Sequence, residues 1–420
     1  MHKLLPSTIV DYLRACNKIR VLTGDITLED FGLDKDTLQD LRSKISIYIH
    51  SASSINLKAG PRQMTPIVVD PSVAAAKMAL SFALLERFVF VSTAYANGHL
   101  HWLHPENGNI LDCEVEERIY PLRAVVSKND SHAELKNIKE FGTTPEYSCI
   151  PHLYGYSYAK HLTERLLSSI FETAGRKEQL LIFRPSCIGP AEQEPFPHFE
   201  AAGSIPLTTA ICAIITTSPG KALCPSNLAD PEKATADEIP VDIVVNRMVM
   251  HLAMGTAGCV HAVAGVTHRR SSRKICDAMA NNRSWWWGRP ALTYCATDTP
   301  EAQIWPAARF YKIWGCSYLF HQEKTERIWD VMDPLLQQQF PLFTRRDPTD
   351  VSDFEIRGRN ARKMLISWLG KKYGRVGRWV AALICPWSYS SIMMLDPVVL
   401  VVNGPSKVSL NSCIEVKSAI

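Results

Sequence analysis

Arg87-Phe88-Val89-Phe90-Val91, running straight into Ser92-Thr93-Ala94-Tyr95, is the stretch that decides the fold. Consecutive β-prone apolar residues with no polar alternation read as a strand buried on both faces, the kind found in parallel sheets. Working outward, the pattern repeats. Lys18 to Thr23 precedes Gly24-Asp25, Ile45 to His50 precedes Ser51-Ala52-Ser53, and Leu180 to Phe183 precedes Arg184-Pro185-Ser186. Between these runs lie helical stretches: residues 36–44, the alanine-rich Pro71 to Leu85, and a long helix from about Tyr156 with Leu162, Leu166 and Leu167 on one side. Strands alternating with helices predict an α/β fold, a parallel sheet covered on both faces. Ligands in such sheets gather at the carboxyl ends of the strands. All four polar clusters are expected at that edge.

Composition excludes some alternatives. The 420 residues carry a net charge of only +4, which gives no argument for nucleic acid, and the basic run around His268 to Lys274 reads as a solvated loop. The twelve cysteines show no Cys-x-x-Cys pair, and no signal peptide is expected from the N-terminal residues. They are expected to be reduced thiols in an intracellular protein, in the cytoplasm or at the cytosolic face of a membrane. His99, His101 and His104 lack a partnering cysteine or acid, so no metal is expected there.

Tyr154-Gly155-Tyr156-Ser157-Tyr158-Ala159-Lys160 carries the candidate chemistry. At i and i+4 a phenol and an ammonium share one helix face. A nearby positive charge favours phenolate, so the pKa of Tyr156 is expected to fall towards working pH. Such a phenol can give a proton to a carbonyl oxygen as hydride arrives at its carbon.

Several motifs then occur in a telling order. They are Thr23-Gly24-Asp25-Ile26, Ser92 to Asn97, Glu117-Arg118-Ile119-Tyr120-Pro121, Tyr156-x-x-x-Lys160, Arg184-Pro185-Ser186, Glu194-Pro195-Phe196-Pro197 and Ile239 to Asn246. This set resembles the fatty acyl-CoA reductases, extended short-chain dehydrogenase/reductases with a male-sterility-type NAD(P)-binding domain, over about residues 18 to 265. The resemblance implies NADPH as cofactor and a fatty acyl-CoA as substrate, reduced to aldehyde and then alcohol. Residue by residue it implies Tyr156 as proton donor, with Lys160 at the nicotinamide ribose. Thr93, with Ser92 beside it, would meet the substrate carbonyl oxygen. Asp25 would lie at the adenine, Ala52 along the cofactor backbone, and Pro185 and Ser186 near the nicotinamide. Two other readings stand beside it: a thioester or carboxylic-acid reductase domain working on carrier-bound acyl groups, and a truncated, catalytically silent relative.

The family opens with a strand, a Gly-x-x-Gly-x-x-Gly turn and a helix, which holds the cofactor's pyrophosphate on backbone amides. No such turn occurs in these 420 residues. The expected fold is therefore a Rossmann-like doubly wound parallel sheet, N-terminally incomplete, with Lys18 to Thr23 as a strand and an unpaired edge on Ile45 to His50. Tight NADPH binding is not expected. Asp70 is expected to cap the helix that Pro71 begins. Residues 1–270 are expected to form the NAD(P)-binding domain with interleaved substrate-binding segments, and 271–420 a mostly helical region with helices at 323–340 and 357–373 and a tail from about 403. Trp285-Trp286-Trp287 reads as packing. Trp379 to Leu395 is apolar but too short to span a bilayer. Peripheral membrane association is expected, with Trp379, Trp387 and Tyr389 at the interface.

Overall fold

Four parallel strands in the order Ile47–His50, Arg87–Val91, Leu180–Pro185, Gly258–Ala262 make the main sheet. The computed structural model describes residues 19–102, 112–122, 130–150, 154–200, 206–216, 220–282, 288–300, 302–305, 312–350 and 352–384, with isolated positions besides. Trp285 to Trp287, His104 and the segment from 385 onward, with Trp387, Tyr389 and the tail, lie outside the described residues.

The two faces of the sheet follow from the alternation of side chains along each strand. Phe88, Phe90, Leu180 and Ile182 point to one side, where they pack with Ala75, Ala79, Leu167 and Phe171 of the helices Val69–Leu80 and Gly155–Thr173. Val89, Leu181, Phe183 and Val260 point to the other, against Ile243 and Val244 of the helix Val241–Ala253. Both faces of these strands are thus buried, and the fold is the expected Rossmann-like α/β arrangement. The edge strand differs. His50 is buried and Tyr48 half-buried on the first side, while Ile47 and Ile49 are 44% and 46% exposed on the second.

The run at Lys18 to Thr23 is a correction. Among the described residues 19–25 there is no strand, and Ile19 and Val21 are exposed. A strand needs a neighbour to take its backbone bonds, and this run has none, so the Ile47–His50 strand keeps an open outer edge among the described residues. Asp70 is a second correction. It falls inside the first turn of the Val69–Leu80 helix, and its carboxylate pairs with Lys139 at 2.8 Å instead of capping. The preceding turn Thr65–Ile67 already brings Val68 to the helix start, so the cap position is filled one residue before Val69.

The later chain holds the expected helices, as Glu323–Val331, Pro334–Gln339 and Asp353–Ile384, together with short strands. Pro290–Cys295 pairs in parallel with Gly220–Pro225, and Tyr318–Phe320 with Cys113–Val115. One apolar cluster draws on both sides of residue 270, joining Cys187, Leu207, Ile211 and Val263 to Ile275, Trp314, Phe354 and Leu365.

Candidate active site

Gly155 fixes where the central helix begins. A Cβ there would stand 2.3 Å from the carbonyl oxygen of Ala59. Only glycine tolerates that approach, and it seats the first turn of the Gly155–Thr173 helix against the loop that follows the edge strand. Tyr156 and Lys160 rise from this turn. Lys160 is 2% exposed, and its Nζ donates to the Val91 carbonyl at 2.8 Å. The ammonium therefore sits at the carboxyl end of the Arg87–Val91 strand. It lies 4.7 Å from the centroid of the Phe90 ring and 5.9 Å from that of Tyr156. Burial lowers its pKa to about 7, with Glu164 opposing. His50, buried nearby with Nε2 3.1 Å from Ser72 Oγ, is lowered to about 4, by burial and then by Lys160.

The expected depression of the Tyr156 pKa is not what this geometry gives. Burial, and after it Cys187, push the phenol above its usual range. Lys160 turns its donor to Val91 and is only about half charged near pH 7, so its charge does not outweigh the loss of water around Tyr156.

The hydroxyls expected around the carbonyl are engaged to different degrees. Ser92 Oγ donates to Glu164 Oε1 at 2.5 Å. Thr93 Oγ1 makes only long contacts, 3.4 Å to the Pro185 carbonyl and 3.3 Å from the Tyr95 amide. Ser186 Oγ donates to Asp237 Oδ1 at 2.5 Å, and its amide bonds Ala262. Cys187 beside it lies 3.8 Å from the Tyr95 hydroxyl. Ser92, Thr93, Tyr156, Lys160, Pro185 and Ser186 thus converge on the carboxyl ends of the two middle strands. Asp25 stands apart in a surface turn, where the Thr27 amide and hydroxyl bond its carboxylate at 2.8 and 2.7 Å and hold its pKa down. No strand precedes that turn, so the expectation that Gly24-Asp25 lies at a strand's carboxyl end is also corrected. Ala52 is half-buried in the loop after the edge strand.

Four carboxylates to which the sequence reading assigns no role hold this arrangement. Glu164 accepts from Ser92 and from Arg184 Nε and Nη2, at 2.9 and 2.6 Å. Asp237 accepts from Ser186 and from the amides of Ala264 and Gly265, and burial raises its pKa. Asp242 gathers the amides of Glu192, Gln193 and Glu194, which ties two motifs that are distant in sequence. Glu117 takes the amides of His261 and Lys324. Glu164 did leave a signal: Tyr156, Lys160 and Glu164 recur every fourth residue, a polar ridge on an otherwise buried helix.

For a nicotinamide dinucleotide the fit is divided. Lys160 and Tyr156 suit its nicotinamide and ribose end. The pyrophosphate end needs free amides where a strand turns directly into a helix. Among the described residues, Ile47–His50 is followed by a loop and the short helix Pro61–Met64, whose Gln63 and Met64 amides bond Gly60. Arg87–Val91 leads into the 3₁₀ turns Ala94–Trp102. Neither offers that cradle.

A parallel sheet with helices on both faces, and a Tyr-x-x-x-Lys pair at the strand ends, defines a Rossmann-like domain of the dehydrogenase/reductase class. The family profile described as "Male sterility protein", an NAD-binding domain, matches residues 3–248, and the chain belongs to that family. Fatty acyl-CoA reductase 2 of Mus musculus is 30% identical over 244 residues, 58% of this chain and 42% of the mouse protein. Its Homo sapiens counterpart is 30% identical over 246 residues, with the same shares. The chain thus spans less than half the length of these relatives. Among solved structures, the terminal R domain of the myxalamid PKS-NRPS pathway aligns at a TM-score of 0.49 and 13% identity, over 87% of this chain and 77% of that one.

Proposed function

We propose that this protein is an oxidoreductase that reduces a fatty acyl thioester, presented as acyl-CoA, with NADPH as hydride donor and fatty alcohol as the end product. The observation that carries the reading is Tyr156 and Lys160 on one helix face at the carboxyl end of the Arg87–Val91 strand. The names of the curated relatives support the substrate class. NADPH, when bound, would supply a hydride in each of two rounds, the first with release of the CoA thiol to give the aldehyde and the second to give the alcohol. The chain's own part is to orient the carbonyl and move the proton. Tyr156 Oη donates to the carbonyl oxygen, and the burial that raises its pKa keeps the proton in place until that oxygen arrives. Thr93, weakly bonded at rest, is free to turn its hydroxyl to the same oxygen. Ser92, held by Glu164, positions Thr93. Lys160 would leave the Val91 carbonyl for the ribose, and a charged Lys160 near Tyr156 would then ease proton release. Pro185 and Ser186 would border the nicotinamide, with Asp25 and Ala52 towards the adenosine end.

A second reading, a catalytically silent relative, is favoured by the missing pyrophosphate cradle among the described residues. One assay separates the two. With saturating NADPH and a long-chain acyl-CoA, the reductase reading expects NADPH oxidation with fatty aldehyde or alcohol formed. Tyr156→Phe should lower that rate by about 10²–10⁴-fold and leave NADPH binding unchanged. Near-normal turnover by Tyr156→Phe rejects the assignment of the proton donor. Absence of turnover in the parent chain at saturating NADPH favours the silent relative.

A further inference from the structure

The charge of this chain is concentrated in one place. From Ile356 to Leu395 the sequence holds eight Lys and Arg residues and no Asp or Glu. The whole chain is +4 and this stretch is +8, so everything else sums to −4. The excess is carried by the helix Asp353–Ile384, whose inner residues Phe354, Ala361 and Leu365 are buried in the large apolar cluster. Past Leu369 the same helix leaves that cluster, and residues 371–376 are all exposed. Lys371, Lys372 and Arg375 stand there without an ion pair among the described residues.

Apolar and aromatic side chains are set among these cations. Trp368 and Tyr373 are each 54% exposed and Val376 is 69% exposed. Lys372 Nζ lies 5.2 Å from the centroids of both the Trp368 and Tyr373 rings. Gly374, at φ 61° and ψ −138°, breaks the helix between the cations, in a backbone region that favours glycine and with nothing near its Cα side. A solvated helix face would mix both signs of charge and keep its aromatic rings covered. Exposed rings interleaved with unpaired cations match an interface with apolar depth and a negative surface, which is the boundary of an anionic bilayer. No helix among the described residues is long and apolar enough to cross a membrane.

We propose that the segment Trp368–Val376 docks this protein onto anionic phospholipid surfaces, Lys371, Lys372 and Arg375 meeting the headgroup phosphates while Trp368, Tyr373 and Val376 enter the headgroup boundary. The inference stands apart from the reductase reading, since none of its residues belongs to the candidate active site.

The test is co-sedimentation of the 420-residue chain with large vesicles of phosphatidylcholine alone, or of phosphatidylcholine with about one part in three phosphatidylserine. Binding to the mixed vesicles only, weakening as salt rises, is expected. The variant Lys371→Gln/Lys372→Gln/Arg375→Gln should bind the mixed vesicles roughly a hundredfold more weakly, with its circular dichroism spectrum unchanged. Trp368→Ser/Tyr373→Ser should also weaken binding but keep its salt dependence. Equal binding to both vesicles, binding to neither, or unchanged binding by the triple glutamine variant overturns the proposal. Tighter binding to single-stranded RNA than to the mixed vesicles at the same salt also overturns it.

Discussion

Glu164 and Arg184 meet at 2.6 Å with both side chains fully buried, the carboxylate on the central helix and the guanidinium at the end of a middle strand. Two charges taken out of water hold together well only where hydrogen bonds complete their shells. Here Ser92 supplies a further donor to Glu164, and Arg184 Nη1 gives its proton to the Arg118 carbonyl at 2.9 Å. Removing one partner strands the other. Glu164→Ala should therefore cost about 3–5 kcal/mol of folding stability, measured by urea denaturation. The double variant Glu164→Met/Arg184→Met should recover most of that loss. A cost below about 1 kcal/mol for Glu164→Ala, the range of exposed pairs, would mean this pair does not clamp helix to strand.

Lys160 makes a pH-dependent contribution of predictable sign. Its folded pKa is lowered to about 7 from the ordinary lysine value of 10.5, so between those values the unfolded chain binds a proton that the folded chain lacks. Stability from this group then rises with pH across that window, and below about pH 7 the burial penalty is present in full. Lys160→Met removes the titrating group. The variant should gain stability relative to the parent at pH 7, and the gap should narrow by pH 9. Denaturation curves for both proteins at the two pH values decide the matter, and a gap independent of pH refutes the buried, lowered Lys160.

How far the sequence could be read depends on what each pattern encodes. Runs such as Phe88 to Val91 and Leu180 to Phe183 are apolar on every residue because both faces are covered, so strand and burial are legible together. Lys18 to Thr23 has the same β-prone residues, but pairing is a property of the neighbour, which no local pattern records. The Tyr156 and Lys160 spacing gave their shared face correctly. The direction of the Tyr156 pKa was misjudged, because the competition between burial and a neighbouring charge depends on where Nζ points. The motifs around Glu117 and Asp242 were visible, yet their work is to bind backbone amides far along the chain, contacts that exist only after folding.

NADPH affinity follows from the divided fit. Charge-assisted hydrogen bonds contribute roughly 1.5–3 kcal/mol each, and neither the turn after Ile47–His50 nor that after Arg87–Val91 offers the pyrophosphate the amides of a strand running directly into a helix. Lys160 and Tyr156 address only one end of the cofactor. Losing those contacts should weaken binding by several orders of magnitude relative to a domain that has them, so these 420 residues should bind NADPH more weakly than micromolar. Calorimetric titration of monodisperse protein with NADPH is the measurement, and a micromolar dissociation constant would overturn the expectation.

The last prediction concerns the open edge. Ile47–His50 pairs on one side with Arg87–Val91, and no described strand takes its other row of amides and carbonyls. Ile47 and Ile49 are exposed on the face that the helix Val241–Ala253 leaves uncovered, so the edge is both unpaired and apolar. Such edges are usually guarded by charge, proline or a bulge, because any second strand can add to them. The strand itself, Ile47-Tyr48-Ile49-His50, holds none of these guards. The isolated chain should therefore self-associate as its concentration rises. Ile49→Lys places a charge on that exposed face, where a substitution should change stability by no more than about 0.5 kcal/mol. Sedimentation velocity over a concentration series should show the variant remaining monomeric where the parent associates, with matching thermal midpoints. If Ile49→Lys associates as readily as the parent, the contact lies elsewhere on the molecule.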